Sequence, residues 1–485
     1  MLRTSALLLV GLSLPALAQR DSTPLPLSTF VVNALRYNTD LRAAAVLPRV
    51  ATAELLAERG TFDPSLVVST DRSNTANDIL GVSPRATQNA LRSAATLGAT
   101  FPVGSQLALT LRNSRYLSDP SFISSVTPFP TSNASGLSFS FTQPLLRGLG
   151  RDGTYGLVDA AAYSADAALS RYERTADLVV AAVERAYWTL RQAEENESIL
   201  RRSVETSRAI YLRNVALRDR DVATALDVLT SERGLATRET QLWEATRQRI
   251  DAAERLLFLS YGEQARDGNM TRAEFVRTVR DSLSAPSVPA EDEAVRAALA
   301  LRSDAAAARR EVDASTRRAA QAHSQRLPKL DLIASYGYGG TTAGSRFLSY
   351  GDSSDIRSSS WSLGVSASLF GRNDAASAVD QRAEAALESA RIFQAGVDNA
   401  IVSDVRVALR GLTTERERYR RARDVVQLAE REYGVAQEGA RLGLVSTFQL
   451  LQYEEQLAQA RLLDAQARFA LEDAGTQYRL ATGAM

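Results

Sequence analysis

From Asp374 to Ala440 the chain carries no proline and only scattered glycines in a run rich in Ala, Leu, Arg and Gln. At about 1.5 Å per residue this run makes a helical rod about 100 Å long. It ends at Arg441-Leu442-Gly443-Leu444-Val445-Ser446, and Thr447-Phe448-Gln449-Leu450-Leu451 opens a second helical run. Gly443 can adopt the left-handed backbone that releases the first helix, and the Ser446 hydroxyl can accept from the bare amides of the next. The spacing predicts a hairpin of two long helices with a tight tip.

The same design recurs upstream in Arg218-Asp219-Arg220-Asp221-Val222-Ala223-Thr224-Ala225-Leu226-Asp227-Val228-Leu229. A shift of 222 places Thr224 on Ser446 and Leu229 on Leu451, and carries Val183, Ala186 and Leu190 onto Val405, Ala408 and Leu412. A shift of 264 carries Leu35, Asp40, Pro64 and Leu66 onto Leu299, Asp304, Pro328 and Leu330. The chain is a duplication. The two shifts differ by 42, so the first half holds an insertion of that order between Pro64 and Val183.

Residues 1–18 join Arg3 to an apolar core ending in Ala16-Leu17-Ala18, the pattern of a cleavable signal peptide and hence of an exported protein. Cysteine is absent, which excludes disulfides and a lipid anchor borne on a thiol. With Lys+Arg 57 against Asp+Glu 56, net charge points to neither nucleic acid nor an acidic surface. No later apolar run is long enough to span a bilayer as a helix, so a membrane protein built from this chain has to be a β-barrel.

Leu27 to Arg59 has a helical pattern with Pro48 marking a break or kink. Beyond Asp63-Pro64, period-two alternation predicts strands. Ser65 to Asp71 alternates imperfectly. Leu97, Ala99 and Phe101, then Leu107, Leu109 and Leu111, flank the short turn Pro102-Val103-Gly104-Ser105 and read as a hairpin. Tyr116 to Asn133 reads as a loop, and Leu137, Phe139 and Phe141 as a strand leading into Gln143-Pro144-Leu145-Leu146-Arg147-Gly148. The second half offers two strands, Leu330 to Tyr338 and Trp361 to Leu369, with one apolar face and one small, polar face.

Such alternation fits a bilayer-spanning strand and equally a half-buried soluble sheet. Topology favours the former. Both strand groups leave and rejoin helical rods, so the helical mass lies to one side of the sheet. Four or six strands cannot close a barrel, and bare strand edges are not tolerated in lipid, so several copies must pool their strands.

The chain resembles the TolC-like outer-membrane efflux protein family over its mature length. The resemblance rests on Ala34-Leu35 with Asn38 and Asp40-Leu41, Asp63-Pro64, Gln143 to Gly148, Leu327-Pro328 with Leu330, and Gly443-Leu444-Val445-Ser446. It implies a mainly α, internally duplicated chain with a β-barrel portion: a homotrimer whose transmembrane β-barrel continues into a long periplasmic α-helical barrel. The implied domains are a first repeat over 19–262 (β segment 65–142, tip 218–224), an equatorial linker over 263–290, and a second repeat over 291–485 (β segment 329–370, tip 441–446). It also implies an outer-membrane exit duct of a tripartite efflux or type I secretion system, fed by an inner-membrane pump through a periplasmic adaptor protein.

Site residues follow from the same resemblance. The adaptor would meet the tips at Arg441, Leu442, Gly443, Leu444, Val445 and Ser446, with Arg218, Asp221 and Thr224. A periplasmic gate would involve Asp219, Arg220, Asp227, Gln449 and Gln452. Relatives often carry aspartates where this chain has Gln449 and Gln452, so a charge-controlled gate is in question. The family pattern has two strands per half and a twelve-stranded barrel. The extra hairpin either raises this to eighteen or folds outside the bilayer. A non-conducting periplasmic rod and a stand-alone porin are the alternatives in function.

No catalytic motif, cofactor loop or metal spacing occurs, and His323, the single histidine, lies on a polar helical stretch as a surface or interface residue. Glu194-Glu195 reads as part of a solvated helix face.

Overall fold

A computed structural model of the chain describes residues 24–77, 86–118, 131–266, 273, 276–279, 289–343, 356–369 and 372–485. The signal peptide read over 1–18 lies outside these residues, as do Phe275 and Leu283 of the linker. The first repeat runs α1 (Leu27–Tyr37), α2 (Thr39–Ala44), α3 (Val46–Gly60), β1 (Ser65–Asn77), β2 (Ala86–Thr100), β3 (Gln106–Ser118), β4 (Thr131–Pro144), α4 (Gly150–Thr154), α5 (Gly156–Arg218) and α6 (Ala225–Tyr261). The second runs α7 (Glu291–Leu301), α8 (Ser303–Arg326), β5 (Lys329–Ala343), β6 (Ile356–Ser368), α9 (Asp374–Arg441) and α10 (Thr447–Thr482).

The duplication shows in the element boundaries. A shift of 264 carries the starts of α1, α2 and β1 onto those of α7, α8 and β5, and a shift of 222 carries the start of α6 onto that of α10. Equivalent positions also share their environment: Val183 with Val405, Ala186 with Ala408 and Leu190 with Leu412 are all buried.

Two compact units divide the chain. One holds the described residues up to Ala45, those within Tyr172–Ser303 and those from Asp398 on. Its main core packs Phe30, Ala34 and Leu41 of α1 and α2 against Val183, Tyr187 and Leu190 of α5, Ala253 and Leu256 of α6, and Val276 of the linker. Phe30 and Ala34 stand one turn apart on α1, so a single face of that helix is inserted.

Two sequence expectations are corrected in this unit and the adjoining helix. The break in the first helical stretch falls at Asn38 and Ala45 rather than at Pro48. The Asn38 side chain accepts from the amides of Asp40 and Leu41 and donates to the Leu259 carbonyl, which makes it the cap of α2. Pro48 lies in the first turn of α3, where its missing amide leaves no helical bond unmade. Glu194 is not on a solvated face: its side chain is only 9% exposed, 3.2 Å from Arg191, and accepts from the Thr278 amide at 3.0 Å. With the bond from the Leu25 amide to the Arg277 carbonyl, this ties the linker down.

The other unit, Val46–Arg171 with Asp304–Val397, contains one antiparallel sheet in the order β1-β2-β3-β4-β5-β6. Its strands run 13 to 15 residues, longer than alternation alone marked. The stretch read as a loop over Tyr116 to Asn133 is strand at both ends, since β3 continues to Ser118 and β4 begins at Thr131. Asn113, Ser114, Ser132 and Asn133 are polar on both faces there and hide the period.

The β2–β3 turn is anchored. Gly104 has φ +94°, and a Cβ there would lie 2.4 Å from the Gly148 carbonyl and 2.7 Å from Pro144, so only glycine fits. The Gly150 amide donates to the Val103 carbonyl at 3.2 Å, and the Ser105 hydroxyl bonds the Gln143 side chain.

Candidate functional site

The two helical tips are built alike. Past Arg218, the last residue of α5, the Val222 amide reaches back to the Leu217 carbonyl at 2.9 Å, and Asp221 takes the left-handed backbone with φ +52°. Past Arg441, the Leu444 amide reaches the Gly439 carbonyl at 2.8 Å, and Gly443 has φ +76°. Asp221 and Gly443 are 222 residues apart, so the repeats close their first helix with the same turn.

Each following helix then starts on a capping box. The Thr224 hydroxyl accepts from the Asp227 amide while the Asp227 carboxylate accepts from the Thr224 amide. Ser446 and Gln449 make the same reciprocal pair. Such a cap is worth about 1 kcal/mol. The bonds from Thr224 hold the Asp227 carboxyl below its ordinary range. Asp227 and Gln449, two of the gate candidates, thus serve as cap residues within the chain, whereas Gln452 is exposed.

The four charges of the first tip, Arg218, Asp219, Arg220 and Asp221, make no ion pair within the chain among the described residues. Among the described residues Arg441 pairs with Glu438 alone, one turn away at 3.7 Å. Apolar side chains share this surface. Val222 is 72% exposed and its counterpart Leu444 79%, and Leu226, Leu442 and Phe448 are exposed beside them. Val445 instead turns inward, against Ile210, Ala436, Ala440 and Leu450.

Several residues here escaped sequence reasoning. Arg213 of α5 donates to the Ala440 carbonyl at 2.8 Å, capping the end of α9 from the other hairpin. Above the tips, Glu454 of α10 is buried with Arg238 of α6 at 3.4 Å, and accepts from the Ser203 hydroxyl of α5 at 2.5 Å. Burial outweighs both partners and holds this carboxyl above its ordinary range. A cleft of about 400 Å³ borders it, lined in part by Ser207, Thr230, Gln452 and Glu454. Val222, Leu226 and Phe448 could have been found as apolar residues beside a turn. Arg213 and Glu454 carry no such signal, being one arginine and one glutamate among many.

In the sheet, register aligns the two faces across every strand. Leu66, Leu97, Leu109, Phe139, Tyr336 and Trp361 form one row on one face. Val67, Thr96, Thr110, Ser138, Gly337 and Ser360 form a row on the other. The apolar row is bare, with all six members between about two-fifths and four-fifths exposed. Among the described residues no strand covers the outer edge of β1 or β6. No described helix is long and apolar enough to cross a membrane. His323 is 65% exposed and 3.6 Å from the buried Asp380, which Arg326 also approaches at 3.3 Å.

Comparison with known proteins bears on both regions. The family model described as outer membrane efflux protein matches residues 123–260 and 294–484, one stretch in each repeat. The outer-membrane channel OprN is 20% identical with a TM-score of 0.67, the match covering 94% of this chain and 89% of that one. The CmeC outer membrane channel of Campylobacter jejuni is 17% identical with a TM-score of 0.65, covering 94% and 85%. The MtrE outer membrane channel of Neisseria gonorrhoeae, in its open state, is 16% identical with a TM-score of 0.63, covering 94% and 88%. Sequence comparison with curated proteins gives no match. Matched to the family model over more than half its length, and sharing its fold with solved outer-membrane channels, the chain belongs to the outer membrane efflux protein family and is a TolC-like protein of the outer membrane.

Proposed function

We propose that three copies of the chain form the outer-membrane exit duct of a tripartite efflux or type I secretion system. Cargo delivered by an inner-membrane pump passes through it without chemistry. In this reading residues 19–262 and 291–485 are the two repeats and 263–290 belong to an equatorial belt. The tips at 218–224 and 441–446 are where a periplasmic adaptor docks.

The observation that carries this reading is the repeated bare tip: equivalent positions Val222 and Leu444 both stand out in solvent on rigid capped turns. A porin has no use for such tips, and apolar side chains held at a fixed point favour a partner of matching shape. Arg441, Leu442, Gly443 and Ser446, with Arg218, Asp221 and Thr224, frame the same surface. In the same reading Asp219, Arg220, Asp227, Gln449 and Gln452 make the contacts between copies that hold the duct closed, and adaptor contact shifts the population toward an open form.

The test is native mass in detergent followed by planar-bilayer conductance of wild type and of a variant with residues 443–446 replaced. A three-copy species with small conductance that rises, and adaptor binding that is lost, on replacement is the expected result. A three-copy species that never conducts would leave a structural rod. One that conducts fully regardless of the tips would be a porin.

A further inference from the structure

From the sheet we infer that the β2–β3 hairpin is part of the membrane wall, so that three copies contribute eighteen strands and enclose a lumen wider than a twelve-stranded barrel allows. This rests on the three-copy channel of the preceding section and specifies its pore.

The hairpin occupies the middle of the first-repeat strands. Sheet order places β2 and β3 between β1 and β4, and among the described residues β1 is bonded to β2 alone. Were the hairpin to fold elsewhere, the whole ladder that β2 makes to β1 and the whole ladder that β3 makes to β4 would have to be remade, and unsatisfied backbone is not tolerated in lipid. Its apolar residues are level with those of the other strands. Leu97 and Leu109 sit in one row between Leu66 and Phe139, and Ala99 and Leu107 in the next, beside Phe141, Ala334 and Leu363. The apolar band is therefore six strands wide without a step. The anchored turn at Gly104 and Ser105 fixes that level, because it is seated against Pro144, Gly148 and Gly150, at the end of β4.

Opposite the rows of Leu97 and Ala99 the other face stays small across the hairpin, while Arg112 and Arg92 stand farther along the same face. Gly98 and Ala108 continue the row of Ser65, Ser140, Ser335 and Ser362, and the Thr96 and Thr110 hydroxyls bond each other at 3.1 Å. With strands about 4.8 Å apart and tilted by about 40°, eighteen strands have a Cα radius of about 18 Å and twelve about 12 Å. At the level of these small rows, after about 5 Å of side chain on each wall, the free cross-section is roughly three times larger and about 25 Å wide. The structure assigns this outer pore to cargo bulkier than a twelve-stranded ring passes.

Because the chain lacks cysteine, single thiols report the wall directly. Leu109→Cys on β3, Thr110→Cys beside it and Leu363→Cys on β6 are each introduced, and the protein is reconstituted into vesicles of brominated phosphatidylcholine. A fluorophore on Leu109→Cys is expected to be quenched within twofold of one on Leu363→Cys. Thr110→Cys is expected to react with a charged, membrane-impermeant thiol reagent while its label stays unquenched. If Leu109→Cys does not assemble, Leu97→Cys on β2 occupies the same row. Electron cryomicroscopy of the wild-type protein in nanodiscs then counts strands, with eighteen expected. A three-copy ring of twelve strands, with the Leu109 label unquenched, would overturn the wider pore and leave the channel standing. Absence of any closed ring of copies would overturn the channel reading instead.

Discussion

Asp221 and Gly443 occupy the same place in the two repeats and the same left-handed backbone, but one of them carries a side chain. A left-handed L-residue costs about 1–2 kcal/mol, less for Asp than for most, while glycine gives back part of that gain as chain entropy. Nothing lies within 4 Å of a Cβ built on Gly443, so the cost of Gly443→Ala is backbone strain alone. That substitution should destabilise the second tip by about 1 kcal/mol, and Asp221→Gly should stabilise the first by a fraction of that. Hydrogen exchange of the amides of residues 217–224 and 439–446 reads both. Equal protection in all variants would mean that the turns carry no local stability. The caps differ in another way. Thr224 holds the Asp227 carboxyl low, so its contribution is present above the ordinary carboxylate range and is lost as pH falls through the depressed value. Gln449 does not titrate. Acid should therefore loosen the first tip before the second, as judged by exchange corrected for intrinsic rates, and Asp227→Asn should abolish the difference.

At the scale of elements, Glu454 joins α10 to α5 and α6 through Ser203 and Arg238. Burial raises its proton affinity, so the stability it contributes is complete below the ordinary carboxylate range and is lost as pH climbs through the raised value. Asp464 and Glu472 on the same helix are raised by burial as well and add with the same sign. Glu454→Gln should flatten, without abolishing, the fall in unfolding temperature between pH 4.5 and 7, in detergent. An unchanged slope would show that Glu454 is already solvated. Substituting Arg238 by Met should do the reverse of relief: it leaves a buried carboxylate without its cation and costs about 3 kcal/mol at neutral pH. None of this was readable from the sequence. The duplication was, because its signals are local: caps, turn residues and buried alanines recur at constant spacing. The fold followed from alternation wherever one face is apolar, as from Leu107 to Leu111. It was lost at the ends of β3 and β4, where Asn113, Ser114, Ser132 and Asn133 remove the contrast between faces. Glu454 and Arg213 matter only because separate helices converge on them, and periodicity within one helix does not report convergence.

For the whole molecule, the sheet must find its environment outside the single chain. Among the described residues its apolar face is bare and its two outer strands have one free edge each. Water would satisfy the edges but not the face, and lipid the face but not the edges. A closed ring of copies in a bilayer satisfies both. The three tryptophans make this measurable. Trp361 on β6 is 78% exposed on the apolar face, next to Tyr336. Trp188 stacks on Phe469 in the helical unit with ring centroids 6.3 Å apart, and Trp243 lies on a helix, exposed. In vesicles of brominated lipid, quenching should fall on Trp361 alone. The Trp361→Phe variant should lose nearly all of it while keeping its assembled mass, since a single aromatic exchange on a lipid-facing surface leaves the ladder bonds in place. Quenching that persists in that variant would place a second tryptophan in the bilayer, and a helical unit that enters lipid is incompatible with the architecture described here.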